Sequence, residues 1–247
     1  MSFRHRTVVG RISLKRNSLV AVCGLCSVAG ALAQDPGLSV SVGARAWYTQ
    51  WTTFSYLVQG GQNVALTQVS ADNKLVLVPV LSVRYGQWGG SVSMVPSTQF
   101  SFADGGSGKR KEFDANVGYA VLPGLSLALG YKKVSQRDGS TRYEPAGLVA
   151  GINANAPLAG AFSFYGNLGI GRLKTPTSGG PEVVKFKADY RLTELGLAYT
   201  LNGDRVVRRW TFTGGYRIQV MGSKQALGSQ DGRDTTQGFT FGAIATF

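Results

Sequence analysis

The sequence is poor in the side chains on which most catalytic and metal sites depend. Its 247 residues contain one His and two Cys, and only 16% of them are charged. His5, Cys23 and Cys26 all precede residue 34, so the rest of the chain has no imidazole and no thiol. That absence excludes a Ser–His nucleophile, a disulfide framework and a Cys/His zinc site from residues 34–247.

Glycine and aromatic residues are abundant instead. The chain has 34 Gly, and 43% of its residues are apolar and 11% aromatic. This apolar content excludes a disordered coil. The frequent glycine and the missing Ala/Glu/Lys/Leu/Arg bias argue against a coiled coil or helical repeat. The composition therefore indicates a Gly-rich, aromatic-rich β protein.

The first 33 residues have the pattern of a secretory signal peptide. Five cations and no acid precede Ser18, and the apolar run from Ser18 to Leu32 closes on Ala31-Leu32-Ala33. This pattern predicts cleavage after Ala33, and without an Arg-Arg pair the general secretory route is favoured. A membrane anchor is the alternative, but the run is short for a helical span of ~20 residues. Cleavage leaves 21 basic and 13 acidic residues, a net charge of +8.

Beyond residue 37 the hydrophobic pattern has a period of two, typical of strands with unlike faces. Ten segments, each long enough for a tilted spanning strand of ~9–11 residues, predict one closed antiparallel transmembrane β-barrel over residues 34–247. Eight or twelve strands are the alternatives. Pro79 and Pro96 weaken two segments, because proline cannot donate to a ladder. The clear segments are 38–48, 112–121, 125–132, 210–219 and 239–247, and the weaker ones are 74–85, 90–102, 143–156, 161–173 and 186–201.

The connections alternate between two kinds, as they do in outer-membrane barrels. One set is short to medium, with Gly, Pro or Asn-Gly turn chemistry. The other set is generally longer and more polar. The short connections are 86–89, 122–124, 157–160 and 202–208, and the long ones are 50–73, 103–111, 135–142, 174–185 and 222–234.

Aromatic residues end the apolar faces at two levels. Such belts mark the two interfaces of a membrane, so the apolar faces are predicted to meet lipid and the polar faces to line the lumen. The belt near the short turns contains Tyr85, Phe162, Tyr199, Trp210 and Phe247, and the belt near the long connections contains Tyr48, Phe102 and Phe113.

The last segment, Gly238-Phe239-Thr240-Phe241-Gly242-Ala243-Ile244-Ala245-Thr246-Phe247, resembles the closing strand of Gram-negative outer-membrane β-barrel proteins. Members of that class typically end in phenylalanine, which their assembly machinery reads. The resemblance implies that Phe247 is an assembly signal, that the barrel-assembly machinery inserts the chain in the outer membrane, and that both termini lie in the periplasm. It identifies no subfamily.

The sequence argues against catalysis, metal binding and cofactors. The well-known enzymes of the outer-membrane barrel class resemble one another in depending on a histidine, and residues 34–247 have none. Gly105-Gly106-Ser107-Gly108-Lys109 looks like part of a phosphate loop but lacks the leading Gly, the Ser/Thr and the strand–loop–helix context. Nucleic acid is not an expected partner of an exported barrel. We therefore expect a non-enzymatic protein, a monomer without metal or cofactor.

The face predicted to line the lumen carries charges of both signs. The short turn at 122–124 places Asp114 opposite Lys132, and the turn at 202–208 brings Glu194 near Arg217. These charges form either a constriction that selects solutes or a set of ion pairs that cross-link a closed lumen. Small inward residues such as Gly196 and Gly215 leave room for water. The candidate lumen charges are Arg45, Arg84, Glu112, Asp114, Lys132, Glu194 and Arg217.

A second group of charged residues lies near the long connections. In the alternation of each strand, these residues occupy the positions predicted to face lipid. Cations there are costly at the membrane midplane but tolerable at the interface. They are predicted to pair with lipopolysaccharide phosphates, with a solvated strand end as the alternative. These candidates are Lys111, Lys133, Arg172, Lys187 and Arg191.

The first long connection, 50–73, is unusually aromatic. It predicts a hairpin that extends beyond the membrane and turns at Gly60-Gly61. Its aromatic residues either form an adhesive or ligand-binding surface or pack across the barrel mouth. Two functions follow from the sequence. The first is a narrow passive pore or small-ligand barrel, and the second is a sealed structural or surface-interaction barrel.

Overall fold

The structure is a computed structural model of the chain, and it describes residues 37–59, 62–138, 141–175, 186–227 and 230–247. The predicted signal peptide, residues 1–33, lies outside the described residues. Within the described part, no helix is long and apolar enough to cross a membrane.

The described chain is built almost entirely of β-strands. Their bounds are β1 Leu38–Gln59, β2 Gln62–Ser70, β3 Lys74–Tyr85, β4 Trp88–Ser101, β5 Ser107–Leu122, β6 Leu125–Asp138, β7 Thr141–Tyr143, β8 Ala146–Pro157, β9 Phe162–Lys174, β10 Lys187–Asn202, β11 Arg209–Leu227 and β12 Gln230–Thr246.

Ten of these strands close into an antiparallel barrel. Each pairs with its neighbours in the order β12-β11-β10-β9-β8-β6-β5-β4-β3-β1, and β12 pairs with β1 to complete the circle. The backbone N–H of Phe247 donates to Val40 O at 2.8 Å, so the last residue also belongs to this closure. The short strands β2 and β7 lie off the ring, where they extend β1 and β6. The predicted ten-stranded barrel is confirmed.

The two ends of the barrel differ as predicted, but at the end with the long connections the loops are shorter than predicted and the strands are longer. Strands β3–β4 and β5–β6 are joined by two-residue turns in which Gly86 and Gly124 have φ of 55° and 76°. These positive φ values favour glycine because it has no Cβ. At the other end, the predicted loops 50–73 and 222–234 are largely strand, since β1, β2, β11 and β12 continue through them. We call the two ends the short-turn end and the long-connection end.

The outer surface is an apolar belt. Residues of one parity on every barrel strand are exposed there, and the predicted belt positions Tyr48, Phe113, Tyr85, Trp210 and Phe247 lie on it. A closed barrel leaves no open sheet edge, so the great majority of its backbone groups pair within the wall, as lipid requires. Phe102 is an exception to the prediction, because it turns inward and packs against Trp51 with ring centroids 5.0 Å apart.

Packed side chains fill the interior toward the long-connection end. Trp51, Ala71 and Phe100 form one buried cluster across the mouth. A larger cluster around Tyr190 fills the opposite wall, and it contains Val134, Val149, Leu173, Ala188, Leu192 and Met221. These apolar clusters share this half of the lumen with buried polar side chains such as Arg110, Gln136 and Thr236, whereas the alternation predicted a polar interior throughout.

Candidate functional site

The centre of the barrel holds a carboxylate from β10 that receives donors from four other strands. Glu194 is fully buried and accepts hydrogen bonds from Arg45 Nη1 at 3.3 Å and from Arg217 Nη1 at 3.0 Å. The hydroxyls of Tyr165 and Thr240 donate to its Oε1 at 3.2 and 3.4 Å. Two cations and two hydroxyls around one carboxylate provide the compensation that a buried charge requires.

A second group lies on β5 and β6. Lys132 is fully buried, and its Nζ forms ion pairs with Glu112 and with Asp114, the latter at 3.0 Å. Arg110 binds the other oxygen of Glu112 at 2.7 Å. Asp114 and Lys132 are directly opposite in the β5–β6 register, which is set by the two-residue turn at 123–124 together with the register shift between Ala120 and Leu122.

Gln219 joins the two groups into one network. With its amide oriented to satisfy its neighbours, its nitrogen donates to Glu112 Oε2 at 3.1 Å and its oxygen accepts from Arg217 Nε at 3.0 Å. The amide can do both because it carries donors and an acceptor. Glu112 lies on β5 and Arg217 on β11, so the connection crosses the lumen.

Aromatic rings cover the cations of this network. Arg217 lies 5.3 Å from the ring centroid of Trp47, Arg110 lies 5.6 Å from Trp51, and Lys132 lies 5.4 Å from Tyr190. Cation–π contacts of this kind are strongest where water is excluded. We call the whole arrangement of charges, hydroxyls and the amide the lumen network. Its members are Arg45, Arg110, Glu112, Asp114, Lys132, Tyr165, Glu194, Arg217, Gln219 and Thr240.

Two facing glycines make room for one member of the network. Gly196 and Gly215 are paired in the β10–β11 register, and a Cβ on either would collide with the ring or hydroxyl of Tyr165. The space that the small residues leave at this level is therefore occupied by Tyr165, and the expectation that it holds water is wrong there.

We expect Gly215→Ala to displace Tyr165 from Glu194 and to lower the free energy of unfolding by about 1–3 kcal/mol, the usual cost of overpacking. Urea unfolding of the refolded barrel measures this change. Gly214→Ala is the matched control, because its Cβ would face outward, 3.9 Å from Phe241, and should change stability by less than about 0.5 kcal/mol. Equal losses in both variants would contradict the role given to Tyr165.

The structure brings six of the seven predicted lumen charges into one network and leaves Arg84 outside it. Arg45, Glu112, Asp114, Lys132, Glu194 and Arg217 all belong to the lumen network. Arg84 does not, because its Nε donates to Gly86 O at 3.1 Å at the short-turn end. Its position at the base of the β3–β4 hairpin makes it a local turn contact.

The predicted lipopolysaccharide contacts all lie on the outer surface at the long-connection end. Lys111, Lys187 and Arg191 are exposed and Lys133 is half-buried. Arg172 pairs with Asp189 at 3.1 Å, and both side chains are largely exposed. Lys174, which the sequence reasoning did not include, is exposed and directly opposite Lys187 in the β9–β10 register.

Several members of the network were missed by sequence reasoning. Arg110 and Gln219 continue the inward parity of Glu112 and Arg217, so the alternation could have identified them. Tyr165 shares its parity with the inward Gly169. Its ring, however, suggested the lipid face more than a polar network, and its hydroxyl contact depends on a strand distant in sequence.

Comparison with known proteins gives the fold and nothing finer. No family model matches the chain, and no curated protein matches its sequence. Among solved structures, the outer membrane protease OmpT from Escherichia coli is similar with a TM-score of 0.50 and 10% identity, covering 87% of this chain and 99% of that one. Ail, the attachment invasion locus protein of Yersinia pestis, is similar over 85% of this chain and 99% of its own, with 14% identity and a TM-score of 0.26.

A closed antiparallel barrel, an apolar outer belt and the OmpT-like fold agree with one another. The chain has the fold of a Gram-negative outer-membrane β-barrel, which agrees with the outer-membrane location that the sequence predicts. The resemblance in fold does not decide between an enzyme, a pore and a surface protein.

Proposed function

We propose that this outer-membrane barrel is sealed, and that it acts as a non-conducting structural or surface-interaction protein associated with lipopolysaccharide. The observation that carries this proposal is the lumen network, which crosses the barrel while Glu112, Lys132 and Glu194 are almost fully buried. Buried ion pairs resist separation, because each partner left alone in a dry interior is strongly destabilising.

The packing on the long-connection side of the network supports the same function. There the lumen contains the apolar cluster around Tyr190 and the cluster around Trp51. A hydrated solute would have to displace these side chains as well as the ion pairs. A ten-stranded barrel also lies near the size at which side chains alone fill the interior.

Planar bilayer recording tests the sealed lumen. We expect the purified, inserted protein to give no reproducible conductance steps, with insertion verified by its heat-modifiable shift on a gel. A known porin inserted in the same bilayers is the positive control. Reproducible steps that change in size in Arg45→Gln or Arg217→Gln would contradict the proposal.

That contrary result would support the second candidate function, a narrow passive pore. The observation in its favour is the set of small residues toward the short-turn end, where Gly118 and Ala128 are directly paired and only half-buried. We infer that a solute entering from this end would meet the lumen network. Conduction would require the network to rearrange.

The lipopolysaccharide part of the proposal rests on the outer cations. Strands β5, β6, β8, β9 and β10 are consecutive in the barrel, and all the predicted contact cations lie on them. Lys174 and Lys187 face each other directly, which is destabilising for like charges on adjacent strands. A phosphate between or beside them would remove that repulsion and accept hydrogen bonds from both ammonium groups.

We expect the double variant Lys174→Gln/Lys187→Gln to bind lipopolysaccharide about thirtyfold more weakly, on the basis of roughly 1 kcal/mol for each cation near an anionic surface. Thermal unfolding in detergent, titrated with purified lipopolysaccharide and with its dephosphorylated form, measures the affinity. Arg205→Gln/Arg208→Gln removes the same charge at the short-turn end and should leave it unchanged. Equal weakening by both pairs would mean that net charge alone governs the binding.

We propose no catalytic role for the chain. The only histidine, His5, lies in the predicted signal peptide, and the described residues hold no group of three or more His, Cys, Asp or Glu that could bind a metal ion. The expected partners remain the outer-membrane lipid and the barrel-assembly machinery, with Phe247 proposed as the signal that the machinery reads.

A further inference from the structure

The lumen network borders a small cavity beside the Trp47 ring. Its volume is about 10 Å³, close to the smallest space that holds a water molecule. Cavities of this size are filled by water where their walls are polar and stay dry where their walls are apolar. Most of the lining here is polar, and its residues are Arg45, Trp47, Val78, Ser93, Val95, Asp114, Arg217 and Thr240.

Strand pairing brings this lining together from two places in the ring. Trp47 of β1 is directly opposite Thr240 of β12, and Ser93 of β4 is directly opposite Asp114 of β5. These four side chains point inward and are more than nine-tenths buried. Strand β3 lies between the two pairs and supplies Val78. The cavity is therefore enclosed by the part of the wall that β12, β1, β3, β4 and β5 form.

Two buried polar atoms of the lining lack a hydrogen-bond partner among the described residues. The indole Nε1 of Trp47 is a donor without an acceptor, and Oδ1 of Asp114 is an acceptor without a donor. Lys132 Nζ lies 3.0 Å from this oxygen as an ion pair, but it donates its hydrogen bond to Oδ2. Leaving a buried donor or acceptor unpaired is costly, and ordered water is a common partner for such groups.

We propose that the cavity binds one water molecule, which accepts a hydrogen bond from Trp47 Nε1 and donates one to Asp114 Oδ1. Water suits both atoms because it is an acceptor and a donor at once. An anion could accept from the indole but would face the Asp114 carboxylate, and a cation would face the guanidinium groups of Arg45 and Arg217. The bound water joins β1 to β5 and makes Trp47 a member of the lumen network.

Water contacts of the Trp47 indole proton test this site. The probe is water itself, observed by NOE and ROE spectra selected for the water resonance of the ¹⁵N-labelled barrel in detergent. Trp47→Phe identifies the Trp47 signal among the four indole groups. We expect a cross-peak between water and the Trp47 indole proton, with NOE and ROE of opposite sign, as for a water that stays bound while the barrel tumbles. A wild-type spectrum without this cross-peak would overturn the proposal.

Filling the cavity should remove the signal. Val78→Ile adds one methyl group to the lining, so we expect the cross-peak to become about tenfold weaker, since a close-packed interior has no room for both. Val76→Ile is the matched control, because Val76 belongs to the same strand and the same buried cluster but does not line the cavity. Its cross-peak should keep the wild-type intensity. Equal intensities in the two variants would contradict the site.

A buried hydroxyl that exchanges its proton with water is the other source of such a signal. Thr240 is directly opposite Trp47 and carries a hydroxyl. Thr240→Val keeps the shape of the side chain and removes that hydroxyl, so we expect the cross-peak to persist. Loss of the cross-peak in this variant would assign it to the hydroxyl and refute the bound water.

Urea unfolding gives a second test, because wet and dry cavities respond in opposite directions. Filling a dry cavity usually stabilises a protein, whereas expelling the bound water leaves Trp47 Nε1 and Asp114 Oδ1 unpaired. We therefore expect Val78→Ile to lower the midpoint of unfolding, and a raised midpoint would refute the site. Conductance recording reports whether ions cross the barrel, so this inference and the sealed lumen can fail independently.

Discussion

Glu194→Gln is expected to lower the free energy of unfolding by about 3–5 kcal/mol, the cost of breaking a buried ion pair by removing one partner. Glu194 accepts from Arg45, Arg217, Tyr165 and Thr240. The amide keeps the size of the carboxylate but removes the negative charge that two buried arginines face. Urea unfolding of the barrel in detergent measures the loss, with the heat-modifiable gel shift as a check on the folded state.

Asp189→Asn provides the matched comparison on the same strand. Asp189 also binds an arginine, Arg172 at 3.1 Å, but on the outer surface with both side chains largely exposed. Exposed pairs contribute about 1 kcal/mol or less, so this variant should remain near wild-type stability. If the two substitutions cost the same, the lumen network is not the desolvated arrangement described here.

Much of the fold could be predicted because lipid imposes a strict alternation on a spanning strand. The segment from Phe113 to Val121 illustrates this: every second residue is apolar, and the structure exposes each of the large ones on the outer surface. The pairing of Asp114 with Lys132 was correctly predicted from a three-residue turn at 122–124. The structure reaches the same register with a two-residue turn and a bulge between Ala120 and Leu122.

The long-connection end was harder to predict for a physical reason. Beyond the membrane a strand has no lipid-facing side, so its sequence loses the apolar alternation that identifies it. Residues 230–234, predicted as part of a loop, are mostly polar and yet belong to a strand that pairs with both β1 and β11. The length and polarity of this connection therefore suggested a loop, although the strands of the barrel wall continue through it.

The side-chain contacts that close the lumen could not be predicted from the sequence pattern either. Alternation says that Tyr190 and Leu192 point inward, but not that they meet Val134 and Leu173 from other strands. Whether inward charges line a channel or bind one another depends on distances across the barrel, and Gln219 bridges two strands far apart in sequence. Glu194 and Arg217 were correctly brought together as neighbours, whereas the contact from Arg45 depends on barrel closure.

Lys132→Gln is expected to destabilise the barrel by about 3 kcal/mol, because two carboxylates on one face of β5 lose the buried cation between them. Glu112 keeps Arg110 as a partner, so most of the cost should come from Asp114. Urea unfolding of Lys132→Gln, Asp114→Asn and the double variant measures the coupling. We expect the double variant to recover about 1–3 kcal/mol relative to the sum of the single losses.

Lys133→Gln is the control for that cycle, since Lys133 is the next residue of the same strand and points outward. Its removal should change stability by less than about 0.5 kcal/mol. Additive losses in the Lys132 and Asp114 variants would show that the two side chains act separately. The ion pair would then contribute little to closing the lumen, and the sealed barrel would rest on the apolar clusters alone.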